Sequence, residues 1–131
     1  MYINSSEAQK ILQASQAKAQ QMGVKVSISV VDGRGDLLAM VRLDGASWRT
    51  ALISKGKAYA SANFGVASAE LTARATSPVM QSFMLQVRGE AVLAQGAVPV
   101  LRNGQVAGAC GVSGAKSEED EEIAKAGIAA L

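Results

Sequence analysis

Apolar positions first recur at helical spacing, at Ala8, Ile11, Leu12, Ala19 and Met22 with Ser15 on the same face, which predicts an opening amphipathic helix. Asn4 with Glu7, or Ser6 with Gln9, offers the reciprocal pair that starts a helix, and Gly23 offers the left-handed stop. The period then changes to two. Residues 24–31 (VKVSISVV) alternate apolar with small polar side chains and read as a strand with one buried face. Asp32-Gly33-Arg34-Gly35 supplies turn chemistry, and residues 36–42 (DLLAMVR) form a second strand paired to the first as a hairpin.

Residues 43–46 (LDGA) break that strand, and Ser47 is placed to cap a helix running to about Asn63. Ala51, Lys55, Ala58 and Ala62 stack along one side of it, a small face suited to close contact. Phe64-Gly65 ends it, Ser68 opens a short helical turn through Ala75, and Ser77-Pro78 fits the cap and first turn of a helix carrying Met80, Phe83, Met84 and Val87. Residues 89–97 read as loop or short strand. Residues 98–102 and 105–112 flank Asn103-Gly104, a strong signal for a two-residue hairpin turn. Pro99 has no amide to donate, so its strand belongs at an edge or starts there. Ser117 is placed to cap a last helix with Glu118, Glu119 and Asp120 in its first turn, where the helix dipole favours acids. The order αββα(αα)ββα predicts an α+β fold, an antiparallel sheet from two hairpins flanked by helices, and 131 residues bound it to a single domain, residues 1–131.

Composition sharpens this picture in three ways. The 24 alanines and 13 glycines, against one Trp, two Tyr and two Phe, call for closely packed elements around a core poor in large anchors. The net charge of +2 is too weak to argue for nucleic acid. It is also uneven, since residues 117–131 hold five acids and one base, a run that reads as a solvated helix face. Histidine is absent, which removes Ser/His and Cys/His nucleophilic pairs and every imidazole metal ligand. A single cysteine, Cys110, forms neither an internal disulfide nor a thiolate cluster and fits a reducing compartment. No apolar stretch follows a basic N-terminal region and no run approaches the roughly 20 apolar residues of a membrane span, so a cytoplasmic protein without membrane contact is expected.

The candidate chemistry is sparse. Gly108-x-x-Gly111-x-x-Gly114 precedes a helix but has neither dinucleotide nor P-loop spacing. Its glycines read first as a surface that lets a helical layer approach the strand. The amides of residues 112–116 also offer a concavity for a carboxylate or phosphate. Arg42 and Asp44 close the second strand as a bracing ion pair or as a ligand grip. Lys57 reads as a snorkelling side chain, Met80, Phe83 and Met84 as core, and Cys110 as a buried small hydrophobe. Asp32, Asp44 and Lys57 are the proton-moving groups nearest these segments, and no pairing among them marks a catalytic set.

The segment Val30-Val31-Asp32-x-x-Gly35-x-Leu37-x-Ala39-x-x-Arg42-x-Asp44-Gly45-Ala46 carries the resemblance together with Lys57-Ala58 and with Gly96-x-x-Pro99, Gly104, Gly108, Gly111-Val112-Ser113-Gly114, Asp120 and Ala126-Gly127. These resemble the GlcG/HbpS-like family, which includes the C-terminal domain of PduO, over nearly the whole chain. The resemblance implies a profilin-like fold, an even-order homo-oligomer, and an association with haem binding and sometimes haem degradation. Two departures stand out: Gln95-Gly96 where the family often reads Gly-Gly ahead of the proline, and no histidine to serve as an axial haem ligand. Any haem would have to use Met, Tyr, Lys, Cys or an exogenous ligand. Three functions follow: a haem-handling domain; an accessory protein or small enzyme binding a small carboxylate metabolite through Arg42, Asp44, Lys57, Gly111, Val112, Ser113 and Gly114; and a structural module without a ligand.

Overall fold

The computed structural model describes residues Met1–Leu131. Helix α1 (Ser5–Met22) starts at a capping box, Asn4 Oδ1 accepting from the Glu7 amide at 2.9 Å and Glu7 Oε1 from the Asn4 amide at 3.0 Å, and ends at Gly23 with φ 70°. Strands β1 (Ser27–Asp32) and β2 (Leu37–Arg42) form the first hairpin, with the Asp32 carboxylate accepting the amides of Arg34, Gly35 and Asp36 in the turn. Helix α2 (Trp48–Phe64), a 3₁₀ helix (Ser68–Arg74) and helix α3 (Pro78–Gln86) follow, then β3 (Ala97–Arg102), β4 (Gln105–Ser113) and α4 (Ser117–Ile128). Asn103 and Gly104 both take positive φ, 53° and 77°, as a tight hairpin turn requires.

The sheet is antiparallel in the order β2-β1-β4-β3, so Pro99 lies on an edge strand as its missing amide demands. Helices α1 and α4 pack together on one face against Val26, Ile28, Val30, Cys110 and Val112, the main core. Helix α2 covers the other face. The first strand is therefore buried on both sides, which corrects the one-faced strand expected from its alternation. Ser27 and Ser29, fully buried, face α2, where the Ser27 and Thr50 hydroxyls lie 2.8 Å apart and those of Ser29 and Ser54 2.7 Å apart. Thr50 donates its one proton to the Ser47 carbonyl and Ser54 donates to that of Ala51, so the strand serines are the donors across the gap.

The approach of α2 is close because Gly111 has no side chain: a Cβ there would stand 2.3 Å from the Ser54 oxygen and 2.7 Å from the Ala58 nitrogen. The stripe of α2 on the sheet runs through Thr50, Ser54, Ala58 and Ala62: Ala58 and Ala62 pack on Val31 and Ala109 as the small face predicts, while Thr50 and Ser54 take the places expected for Ala51 and Lys55, one position earlier. The 3₁₀ helix, α3 and the segment before β3 wrap the outer side of α2 around Ala60, Leu71, Met80, Ala91 and Leu93. Residues 89–96, ambiguous in sequence, are loop. No helix is long and apolar enough to cross a membrane.

Candidate functional site

Two segments far apart in sequence close on Lys25 through a glycine each, Gly45 and Gly114. Gly45, at φ 88°, lies under the Lys25 side chain, where a Cβ would come 2.6 Å from Cδ. Gly114, at φ 131°, lies on its backbone, where a Cβ would come 2.6 Å from the Lys25 oxygen. Only glycine combines these dihedrals with so little room. The junction leaves a hollow of ≈ 530 Å³ whose walls include Lys25, Ala46, Ser47, Thr50, Gly114 and Lys116. Ser47 occupies the N-cap of α2 but its side chain makes no capping bond, so the first amides of that helix have no side-chain acceptor. Two lysines and an uncapped helix start give the hollow a positive lining, with Glu119 its single acid.

The floor of the β4–α4 loop rests on a buried ion pair. Lys57 is 5% exposed and Asp120 is 2% exposed. Lys57 Nζ donates to the Val112 carbonyl at 2.9 Å and lies 3.3 Å from Asp120 Oδ2, while Asp120 Oδ1 accepts the Ala115 amide at 3.0 Å. Lys57 does not snorkel; its ammonium points inward because two acceptors meet it there. Burial pushes the Asp120 carboxyl above its ordinary value, against the opposing pull of Lys57 and the Ala115 amide. Glu119 Oε1 accepts the Lys116 amide at 3.1 Å, so two of the five amides of the expected concavity are held by the chain's own carboxylates. Helix α4 begins at Ser117 with Lys116, not Ser117, in the N-cap position.

Of the other residues singled out in sequence, Gly111, Val112 and Ser113 are buried on β4 beneath the hollow, and Gly114 emerges into it. Arg42 and Asp44 are exposed and line an adjoining hollow of ≈ 340 Å³ with Gln16 and Gln20, Val24 being common to both hollows. They do not pair with each other; the ion pairs of the chain join other residues. Asp120 was missed as a buried group, although its sequence position held the signal. It opens the stripe Asp120, Ile123, Ala124, Gly127, the spacing of the buried face of α4.

Three of the donors that could stand in for histidine are closed to haem. Cys110 is fully buried and its thiol is pushed up to about 12 by burial. Met80 lies in the core and the Lys57 ammonium is spent. Tyr59 does line a hollow, of ≈ 510 Å³, but the other walls include Arg34, Asp36, Lys55, Asn63 and Glu90. A macrocycle needs a predominantly apolar slot.

Residues 3–129 match the family described as haem degrading protein HbpS-like. A 15.0 kDa protein from the dhaT-dhaS intergenic region of Citrobacter freundii is 37% identical over 128 residues, 96% of this chain and 89% of that one. GlcG of Escherichia coli K12 is 34% identical over 85% of this chain and 81% of its own. Among solved structures, a complex of PduOC with heme superposes with a TM-score of 0.87 at 26% identity, covering all of this chain and 96% of that one. Matched along almost its entire length, and with its two motif segments folded onto one hollow, the chain belongs to the GlcG/HbpS-like family.

Proposed function

We propose that the protein binds a small carboxylate or related oxyanion in the hollow between Lys25, residues 44–50 and residues 114–116, with Arg42 reaching the ligand from the adjoining hollow. The observation that carries this reading is the meeting of the two motif segments on Lys25. Lys25 and Lys116 supply charge, the open amides of α2 and the Ser47 hydroxyl supply directed donors, and Glu119 and Asp44 reject a second negative group placed near them. With no histidine in the sequence, ligation of haem through imidazole is outside the chemistry of this chain. The ligand-binding unit is an even-numbered, closed homo-oligomer in the cytoplasm. Trp48 and Leu52, 62% and 63% exposed and one helical turn apart on α2, support self-association. The small-residue faces of α2 and β4 are consumed inside the chain, Gly111 against Ala58.

Calorimetric titration with glycolate, succinate and inorganic phosphate, beside a hemin titration followed by absorbance, tests the reading. At least one of the anions is expected to bind. Lys25→Ala and Arg42→Ala are each expected to weaken it about ten-fold or more, the worth of a charge-assisted hydrogen bond. Because Arg42 is exposed and unpaired, its replacement should leave the melting temperature in place. Silence from all three anions, together with a stoichiometric hemin complex whose sharp Soret band is lost in Tyr59→Phe, would replace this reading with haem handling.

A further inference from the structure

We propose that Lys57 and Asp120 are positioning residues for the hollow, holding the β4–α4 loop in the shape that presents Gly114 and Lys116 to a ligand. This inference rests on the reading of the hollow as a binding site, and it assigns a role to two residues that do not line it.

The geometry is a relay through buried atoms. Lys57 stands on α2, the helix whose start forms one wall; Asp120 stands on α4, whose start forms the opposite wall. Between them lies the end of β4. The ammonium grips β4 through the Val112 carbonyl at 2.9 Å and α4 through Asp120 at 3.3 Å, and the carboxylate grips the loop through the Ala115 amide at 3.0 Å. Five segments thus share one charge pair, because the one carrying Gly96 belongs to it as well. The Gly96 carbonyl accepts the Val112 amide at 3.0 Å, and a Cβ on this residue would stand 2.7 Å from Lys57 Nζ and 2.6 Å from the Val112 oxygen. The pair is expensive to build, since two ions leave water and the burial penalty on Asp120 outweighs the pull of its partners. Apolar residues of similar volume fill such a space at no greater cost, so stability alone does not account for it. What an apolar pair lacks is a directed acceptor for the Ala115 amide. Without that acceptor the Ala115 amide has no partner, and the loop between Ser113 and Ser117 is held at Lys116 alone, by its amide on Glu119 and its carbonyl under the Asp120 amide.

The groups around the pair define what titrates. From α2 the charge facing Asp120 is Lys57; from its own helix it is Glu119, whose negative charge opposes ionisation; from the loop it is the Ala115 amide dipole. Protonation of Asp120 removes the partner of Lys57 and weakens the acceptor of Ala115 together.

Asp120→Asn and Asp120→Ala separate positioning from bulk stability. Both leave the Lys57 ammonium without a countercharge and both are expected to lower the melting temperature. Only the asparagine keeps an oxygen for the Ala115 amide. The expected result is that phosphate affinity falls at least ten-fold further in Asp120→Ala than in Asp120→Asn, with faster amide exchange at Ala115 and Lys116 in the alanine variant only. Equal losses of affinity in the two variants, or equal exchange at Ala115, overturn the inference. Should the wild-type protein bind no anion, the proposed function fails while exchange at Ala115 still decides the positioning role. If neither variant folds, the wild-type protein decides: the Ala115 amide should be protected from exchange by its bond to the Asp120 carboxylate, and exchange there as fast as at an exposed loop amide overturns the inference.

Discussion

Replacing Gly111 by alanine is the most direct test of how this fold makes its site. Gly111 lies on β4, an interior strand, with α2 across it and β1 and β3 at its sides. The new methyl would sit 2.3 Å from the Ser54 oxygen, 2.7 Å from the Ala58 nitrogen and 2.9 Å from the Ala58 Cβ. Two of these are backbone atoms of a 17-residue helix, so no flexible side-chain end can swing away. Relief requires α2 to lift from β4 by about 1 Å, enough to forfeit a quarter to a half of the dispersion attraction at the contacts that open. It also stretches the 2.7 Å and 2.8 Å hydroxyl pairs to β1 and the Lys57 bond to Val112. Overpacking of a tight core costs about 1–3 kcal/mol, and a rigid neighbour on an interior strand puts this site at roughly 3. For a domain of this size that is a fall in Tm of roughly 10 °C. The comparison is Gly23→Ala, at φ 70° with open space around it, which costs only the left-handed backbone, about 1 kcal/mol. Urea and thermal melts followed by circular dichroism read both. A loss at Gly111 no larger than that at Gly23 would refute the argument that the missing side chain sets the α2–β4 distance.

Cys110, fully buried with its thiol pushed up to about 12 and Sγ 3.6 Å from the Ser15 hydroxyl, is expected to resist iodoacetamide at pH 8 in the native protein and to react readily in denaturant; rapid native labelling would show the strand opening. Glu7 is held below its ordinary value of 4.5, first by the Asn4 amide and then by Arg102. A carboxylate with a depressed folded pKa contributes stability above its unfolded value and loses it as pH falls through the folded one. The stability gap between wild type and Glu7→Gln in urea melts should therefore be widest near neutrality, close below pH 4.5, and narrow in high salt; a gap unchanged at pH 3 would contradict the assignment.

Some of this molecule is determined within a few residues. The capping box at Asn4 and Glu7, the Asn103-Gly104 turn and the placement of Pro99 on an edge strand depend on local dihedrals and donors, and the order αββα(αα)ββα follows from them. The motif segments were readable as segments for the same reason. What they do together was not. Ser27 and Ser29 look solvent-facing in an alternating strand, since a small polar residue is equally at home in water or against a buried hydroxyl; docking of α2, with Thr50 and Ser54 23 and 25 residues away, decides between them. Lys57 and Asp120 look like a surface lysine and one acid in an acidic run. They become a buried pair only when α2, β4 and α4 meet, 63 residues apart, and supply the carbonyl and amide that make burying two charges tolerable. The hollow at Lys25 is likewise a product of contact order: residues 25, 45 and 114 share no local pattern, and their meeting is set by the pairing of β1 with both β2 and β4 at Ser27, which brings Arg42 and Ser113 level with it. Local sequence chose the elements; non-local pairing, satisfied only when all of them are in place, chose which side chains share a site.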